Sequence, residues 1–240
     1  MRETHRRERF VVFDDFLDEA TLAELRGQAD RSTFSEVRSV IYPDSDGTAH
    51  RSRGAYLKGA ALGAADGAGR PRAYERILRT VAEETAVFGE RGEDWNRAAF
   101  TFWRYPAGSR LSWHNDVGGG RVGEYILFLH EEWSASWGGE LMILDEDPPR
   151  ASSGDFEDFI AQMELQVRNS SVSPVAIVPK PNRLVLVKAG TAHQINRVDP
   201  TSGSDRRTLT GFISKKSEED TEAARDALRR LVRESTPATR

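Results

Sequence analysis

Ala98-Ala99-Phe100-Thr101-Phe102-Trp103-Arg104-Tyr105-Pro106-Ala107-Gly108-Ser109-Arg110-Leu111-Ser112-Trp113-His114-Asn115-Asp116 is the stretch on which the fold turns. From Ala99 to Tyr105 the residues alternate, and a period of two places Thr101, Trp103 and Tyr105 on one side of a strand. Pro106-Ala107-Gly108 breaks that strand, and Leu111 to His114 alternates again. Short apolar runs follow at Tyr125 to His130, Leu141 to Leu144, Val175 to Val178, Leu184 to Val187 and Arg207 to Ile213, separated by Gly and Pro turns. Regularly spaced short strands of this kind indicate a sandwich or barrel. A double-sheet jelly roll is the expected β core, about 98–214.

Upstream, Phe10 to Phe13 suits a strand. Asp18 to Ala29 has helical spacing, with Leu22 and Leu25 apolar and acids in the first turn. Residues 43–72, rich in Gly, Ala, Asp and Ser, read as loop. Arg72 to Phe88 reads as a second helix, with Tyr74, Ile77, Leu78, Val81 and Ala82 on one face. Within 145–173, Pro148-Pro149 and a Ser/Gly turn precede a helix-like stretch from Asp155 to Val167. A charged helix over about 217–234 carries Ala223, Ala227, Leu228 and Leu231 as its apolar stripe. The expectation is one domain over 1–240: mainly β, with helical N-terminal support over about 10–95, the β core, and a C-terminal helix.

Composition narrows the function classes. The 240 residues are 38% hydrophobic and 30% charged, as in a soluble globular chain. A net charge of −4 gives no basic footprint for nucleic acid. The absence of cysteine excludes disulfides, thiolate metal sites and cysteine nucleophiles. No apolar run is long enough to span a bilayer, and the polar start Met1-Arg2-Glu3-Thr4 lacks a signal-peptide core. A cytoplasmic enzyme with no membrane partner is the expectation.

Chemistry concentrates at His114-Asn115-Asp116 and His193. A histidine and a carboxylate two residues apart on a strand share one side, and His193 completes three ligands from 77 residues beyond Asp116 (193 − 116). Two imidazoles and one carboxylate on one face of a metal leave the opposite face open, the pattern of non-haem Fe(II) oxygenases. A structural metal would be closed by four protein ligands. Spacing alone leaves a metal site and ordinary structural histidines equally open. Arg206 tips the balance, because Arg206, Thr208 and Thr210 share one strand face. If that face is interior, the guanidinium needs an anion that this strand does not supply. A ligand carboxylate would fit it, with the Thr208 hydroxyl as a further donor. The alternative turns Arg207 inward instead.

Taken in order, Tyr105-Pro106-Ala107-Gly108, His114-Asn115-Asp116, Gly138-Gly139-Glu140-Leu141, Pro181-Asn182-Arg183-Leu184-Val185-Leu186-Val187, His193 and Arg206-x-Thr208 resemble the 2-oxoglutarate/Fe(II)-dependent dioxygenases, most of all their prolyl-4-hydroxylase-like branch. The resemblance covers roughly 98–214. It implies a double-stranded β-helix, a cupin-like jelly-roll variant. It implies Fe(II) on His114, Asp116 and His193, with 2-oxoglutarate held by Arg206, Thr208 and Tyr105. O2 would be the second cosubstrate and ascorbate a candidate reductant. Phe128 stands where that branch often has a hydrogen-bonding tyrosine, which throws more of the anchoring onto Arg206, Thr208 and Tyr105. The intact Asp116 argues against halogenation, for which related enzymes replace this carboxylate by a small residue.

Other signals carry less. Gly118-x-Gly120-x-x-Gly123 precedes strand-like residues rather than a helix, so it reads as a hairpin turn and not as a dinucleotide site. Trp103, Asn115 and Arg121 are candidates to meet substrate. Segments 43–72 and 145–173 are candidate specificity elements. The expected activity is hydroxylation of an unactivated C–H of a small molecule or carrier-bound intermediate, yielding succinate and CO2. A peptidyl or protein prolyl hydroxylase, a non-catalytic binding domain retaining the fold, and a metal hydrolase using the same triad stay open beside it.

Overall fold

A computed structural model describes residues 1–63, 70–148 and 156–216. In chain order the N-terminal part contains β1 (Arg2–Arg6), β2 (Phe10–Asp14), α1 (Glu19–Arg31), β3 (Phe34–Arg38), β4 (Thr48–Ser52), β5 (Ala55–Lys58), α2 (Ala60–Gly63), α3 (Arg72–Glu83) and α4 (Thr85–Phe88). There follow β6 (Arg97–Tyr105), β7 (Leu111–His114), β8 (Arg121–Phe128), β9 (Leu141–Ile143), α5 (Phe156–Asn169), β10 (Val175–Ile177), β11 (Leu184–Lys188), β12 (His193–Ile195) and β13 (Arg206–Ser214). The expected C-terminal helix lies outside the described residues.

The larger sheet has the order β1-β2-β11-β8-β13-β6-β4-β3, with β5 also paired to β6. The smaller sheet has the order β10-β9-β12-β7. Pairing is antiparallel throughout. Two facing antiparallel sheets, with helices behind the larger one, form the expected double-stranded β-helix core.

Strand alternation sorts the side chains into two layers. Phe100 and Phe102 of β6, Leu127 of β8 and Leu209 of β13 face the helices, where Leu25 of α1 and Ile77 of α3 meet them. Val12, Ile126, Phe128 and Val185 point the other way and pack against Leu141 and Ile143 of the smaller sheet. The remaining inward positions of β6 and β13 line a cavity between the sheets. Both faces of the larger sheet are thus covered, which explains why its central strands are nearly continuous apolar runs.

The N-terminal support, read from the sequence as a strand at Phe10 to Phe13 and two helices, holds more strands than that. That part contributes β1 to β5 to the larger sheet, and residues 43–72 are not one loop. Thr48-Ala49-His50-Arg51-Ser52 has little apolar patterning of its own, yet β6 offers an open edge and pairs His50 with Arg104 and Arg51 with Trp103. Cross-strand partners of this kind decide strand formation where propensity is weak. The polar start Arg2–Arg6 is a strand for the same reason, paired to β2. The single helix expected over Arg72 to Phe88 is two, because Glu84 (ψ 59°) leaves helical geometry between α3 and α4. The Gly118, Gly119 and Gly120 turn has φ of 114°, 61° and 70° and leads into a strand rather than a helix, but it is not the expected hairpin: β7 belongs to the smaller sheet and β8 to the larger, so the turn crosses between sheets.

Candidate metal centre

His114 ends β7 and His193 begins β12. The two strands are antiparallel neighbours with His193 directly opposite His114, so their rings lie 4.1 Å apart between centroids, tilted by 56°. Asp116 is not on the strand, contrary to the expectation that alternation aims it. It sits in the turn after β7 with φ 53°, a left-handed conformation that aspartate tolerates better than most residues. That turn directs its carboxylate back, with Oδ2 3.5 Å from His114 Nε2 and 3.4 Å from His193 Nε2.

Backbone carbonyls set both tautomers. His114 Nδ1 lies 2.7 Å from Ser112 O, and His193 Nδ1 lies 2.9 Å from Thr191 O. A carbonyl only accepts, so each Nδ1 carries a hydrogen, and in the neutral ring each Nε2 presents a lone pair towards Asp116. The three ligand atoms lie within 4.8 Å of one another. Lone pairs of two imidazoles and a carboxylate that converge without a donor repel one another unless a cation sits between them. The residues therefore fit a divalent metal, and the orienting carbonyls are the supporting contacts that metal-binding histidines need. A proton can serve as that cation: burial works to raise the Asp116 carboxyl, but the His114 and His193 imidazoles, as charged donors, outweigh it and hold its pKa well below the usual range, and burial's downward pull on His193 is overcome by Glu124 and Asp116, which push it well above its own.

Further contacts brace the centre. Arg121 donates to Asp116 Oδ1 and to its backbone carbonyl at 3.3 and 3.2 Å, while its guanidinium lies 3.9 Å from the Phe212 ring. The wholly buried Asp46 accepts from Ser112 Oγ at 2.6 Å and from Arg110 Nε at 3.1 Å, fixing β7 just before His114. Arg9 donates to Thr191 Oγ1 and to Ala189 O at 3.0 and 2.8 Å, fixing the approach to His193.

The other end of the cavity is cationic. Arg206 is 1% exposed; its Nε donates to Gly139 O at 2.7 Å, and its Nη2 has no hydrogen-bond partner among the described residues. Gly138 and Gly139, with φ of 66° and 68°, bring that carbonyl within reach. Desolvation pulls the guanidinium down to about 10, with the charges of Glu124 and Glu140 opposing. A buried arginine with a free nitrogen fits an anion, and a carboxylate is the geometric match. β13–β6 register places Tyr105 opposite Arg206 and Trp103 opposite Thr208. The Thr208 oxygen accepts from Thr210 Oγ1 at 3.2 Å, which leaves its own hydrogen available. Arg207 turns to the other side, where it pairs with Asp30.

All nine residues singled out from the sequence border one cavity of about 610 Å³: His114, Asp116, His193, Arg206, Thr208, Tyr105, Trp103, Asn115 and Arg121. Arg51 and Tyr56 from the first candidate specificity segment border it too, as does Phe159 from the second. Asn115 is also a turn residue; its Oδ1 accepts from Val117 N at 3.3 Å and its carbonyl accepts from Gly190 N. Sequence reasoning missed Glu124, which lines the cavity beside His193. Its signal was present: an acid at the inward parity of Ile126 and Phe128, one residue before the run taken to start at Tyr125. Among the described residues no helix is long and apolar enough to cross a membrane.

Residues 100–214 match the family model of the 2OG-Fe(II) oxygenase superfamily. No curated protein matches the chain. Among solved structures, a prolyl-4-hydroxylase from Pseudomonas putida is similar, with a TM-score of 0.56 and 16% identity over 88% of this chain and 94% of that one. A prolyl hydroxylase from Trichoplax adhaerens, in complex with a peptide of hypoxia inducible factor, gives 0.53 and 15% over 86% and 84%. A non-haem alpha-ketoglutarate-dependent epimerase from nogalamycin biosynthesis gives 0.53 and 15% over 87% and 79%. At such identities the structures speak to fold, and the family model covers the segment that holds His114, Asp116 and His193. Residues 100–214, which carry this triad, are thus similar to the 2OG-Fe(II) oxygenase superfamily, and the prolyl-4-hydroxylase structures share the fold.

Proposed function

We propose that the protein is an Fe(II)/2-oxoglutarate-dependent dioxygenase that hydroxylates an unactivated C–H of a small molecule or carrier-bound intermediate. The observation that carries this is the pairing, in one cavity, of converging acceptors at His114, Asp116 and His193 with the unpartnered Arg206 Nη2. One end calls for a cation and the other for an anion, and a keto acid chelating a metal joins the two. Fe(II) with 2-oxoglutarate supplies O2 activation, one oxygen atom ending in succinate and the other in the product, with release of CO2.

The chain's own residues supply placement. His114 and His193 are held in one tautomer by Ser112 and Thr191, and Arg121 holds Asp116. Arg206 takes the far carboxylate of 2-oxoglutarate, with the Thr208 and Tyr105 hydroxyls beside it. Val185, Val187 and Phe128 exclude water from the layer beneath. Trp103, Asn115 and the walls formed by Arg51, Tyr56 and Phe159 bound the substrate's space. A single domain over 1–240 accommodates all of these roles.

Anaerobic addition of Fe(II) and then 2-oxoglutarate should produce the weak visible charge-transfer band of a chelated keto acid, and O2 should then yield succinate. Absence of both would defeat the proposal in favour of a binding domain that merely keeps the fold. Activity without O2 or 2-oxoglutarate would favour a hydrolase on the same triad.

A prolyl-peptide substrate has its own supporting observation. Val40, Tyr56 and Val117 are 74%, 57% and 62% exposed and all border the cavity, giving an apolar rim on which a peptide could rest. Mass spectrometry of peptide and small-molecule panels separates the two. Oxygen gain confined to peptides would remove the small-molecule assignment.

A further inference from the structure

The cavity has a second cationic region, remote from Arg206. Its wall along β6 and β13 runs from Tyr105 and Arg206 at one end to Arg97 and Ser214 at the other, and these last two are cross-strand partners. From Arg206 to Ser214 is eight residues (214 − 206), roughly 26 Å of strand at about 3.3 Å per residue. A five-carbon keto acid anchored on Arg206 does not reach that far. On the other side of β13, the pairing with β8 slips between Ile213 and Ser214, so Arg121 lies opposite Ser214 and borders the cavity. Such a bulge re-aims a side chain that strict alternation from Glu124 would turn away. Arg121, Ser214 and Arg97 therefore sit side by side on three neighbouring strands. Arg121 is already bound to Asp116. Arg97 lies 4.5 Å from the Tyr56 ring, and among the described residues neither it nor the Lys216 ammonium has a carboxylate partner. Lys216 also borders the cavity, and Asn96 pins its backbone, donating to the Lys216 carbonyl at 2.9 Å and accepting from its N–H at 3.0 Å. Ser214 is 7% exposed and lines the cavity, and its hydroxyl has no hydrogen-bond partner among the described residues. A hydroxyl so withdrawn from water calls for a partner.

We propose that Arg97, the Ser214 hydroxyl and Lys216 form an oxyanion subsite, and that the substrate is a small molecule carrying a carboxylate or phosphate group there. The inference rests on the dioxygenase reading given above and narrows its substrate class. A guanidinium, an ammonium and a hydroxyl are all donors, and together they match the several acceptor oxygens of such a group. The two anions are sorted by position, the cosubstrate on Arg206 and the substrate on Arg97. Register sets the scale between subsite and metal. Arg121 binds the metal-site carboxylate of Asp116, and two strand spacings, roughly 10 Å, separate its backbone from that of Arg97. The carbon to be oxidised is therefore several bonds away from the anionic group.

The test loads the full chain with Co(II) and N-oxalylglycine, an unreactive analogue of 2-oxoglutarate, so that Arg206 is already occupied. Three probes are then titrated by ligand-observed NMR. Phenyl phosphate and phenylacetate carry the anion, and phenylacetamide is the neutral counterpart. The anions should bind, and the amide should bind at least about tenfold more weakly. Arg97→Gln should weaken the anions about 10- to 100-fold and leave the amide and N-oxalylglycine unaffected. Arg79→Gln, exposed on α3, controls for net charge, and circular dichroism controls for folding. Relaxation by paramagnetic Co(II) should place the phenylacetate methylene about 10 Å from the metal. The tighter of the two anions identifies the group that the subsite prefers. Equal binding of amide and anions would overturn the proposal. So would a loss in Arg97→Gln no larger than in Arg79→Gln, or relaxation that puts the anion on the metal itself. Binding of acidic peptides through Arg97, with none of the small anions, would overturn the small-molecule assignment. Should N-oxalylglycine fail to bind while the anions still bind through Arg97, the dioxygenase reading fails and the subsite stands.

Discussion

Arg206 carries a buried nitrogen with no acceptor, so its substitution isolates one end of the cavity. Arg206→Lys keeps a charge but loses the planar fork. We expect 2-oxoglutarate affinity to fall about 10- to 100-fold, since one hydrogen bond to a charged group contributes roughly 1.5–3 kcal/mol. Co(II) affinity should stay unchanged; titration of both reads the split, and unaltered 2-oxoglutarate binding would remove Arg206 from the cosubstrate site. Arg121 poses a different choice. Its bond to Asp116 Oδ1 predicts that Arg121→Ala weakens metal binding by about 10- to 100-fold, as loss of an orienting contact does. Were its role to meet substrate alone, the metal isotherm would not move and only the KM for substrate would. The ligand identities were legible in the residues because they are chemical: few side chains bind a hard divalent ion, and this chain has five histidines and no cysteine. The direction of Asp116 was not legible, since it depends on a left-handed turn rather than on strand parity.

Between elements, β13 is the strand on which the site depends, with β6 on one side and β8 on the other. At Gly211 a Cβ would lie 1.7 Å from Ala99 O and 2.8 Å from the Tyr125 ring. Backbone cannot yield that much without separating the strands. Gly211→Ala should therefore destabilise by more than about 4 kcal/mol, in the range reserved for gross steric conflict, and abolish metal and 2-oxoglutarate binding together. Native-like chemical denaturation of that variant would refute the packing argument. A second prediction concerns β2 and the turn before β11. Asp14 accepts from Arg183 Nε at 2.7 Å and from Lys180 Nζ at 2.8 Å. Burial alone would raise its pKa, but these two cations outweigh it and bring the carboxyl down to about 2. A depressed carboxylate contributes its stability above the unfolded value, near 3.9, and loses it as pH falls through the folded value. The contribution, on the order of 2 kcal/mol, should vanish between about pH 4 and pH 2. Asp14→Asn should flatten that limb of the stability–pH curve, and an unchanged limb would exclude Asp14 as its source. Apolar strands such as β11 were readable from their own sequence because they are covered on both faces. β4 and β5 were not, because a strand of weak apolar patterning draws its stability from the neighbours it pairs with.

Across the whole molecule, a metal held by His114, Asp116 and His193 would tie β7, the following turn and β12 into one unit, and the unfolded chain offers no such convergence. Binding should therefore appear as global stability. At a free metal concentration of about 100 Kd the gain is roughly 2.7 kcal/mol, which for a chain of this size raises Tm by about 5–10 °C. Differential scanning fluorimetry of metal-free protein with and without Co(II) reads it, and His193→Ala should erase the shift. A Tm insensitive to Co(II) would show that the three side chains do not act as a single site. At this scale the division between sequence and structure becomes clear. By itself the sequence determined what is local or chemical: the two-residue period of β6 and β13, the shared face of Arg206 and Thr208, and the donor types at His114, Asp116 and His193. Only the tertiary structure decided what depends on register and on contacts between distant segments. Pairing of β12 with β7 sets His193 opposite His114. The open edge of β6 turns a polar stretch into β4, and the placement of β8 brings Glu124 within 2.9 Å of a metal-site nitrogen. A strand's parity is written in its own residues, but which strand it faces is fixed by the free energy of the whole assembly.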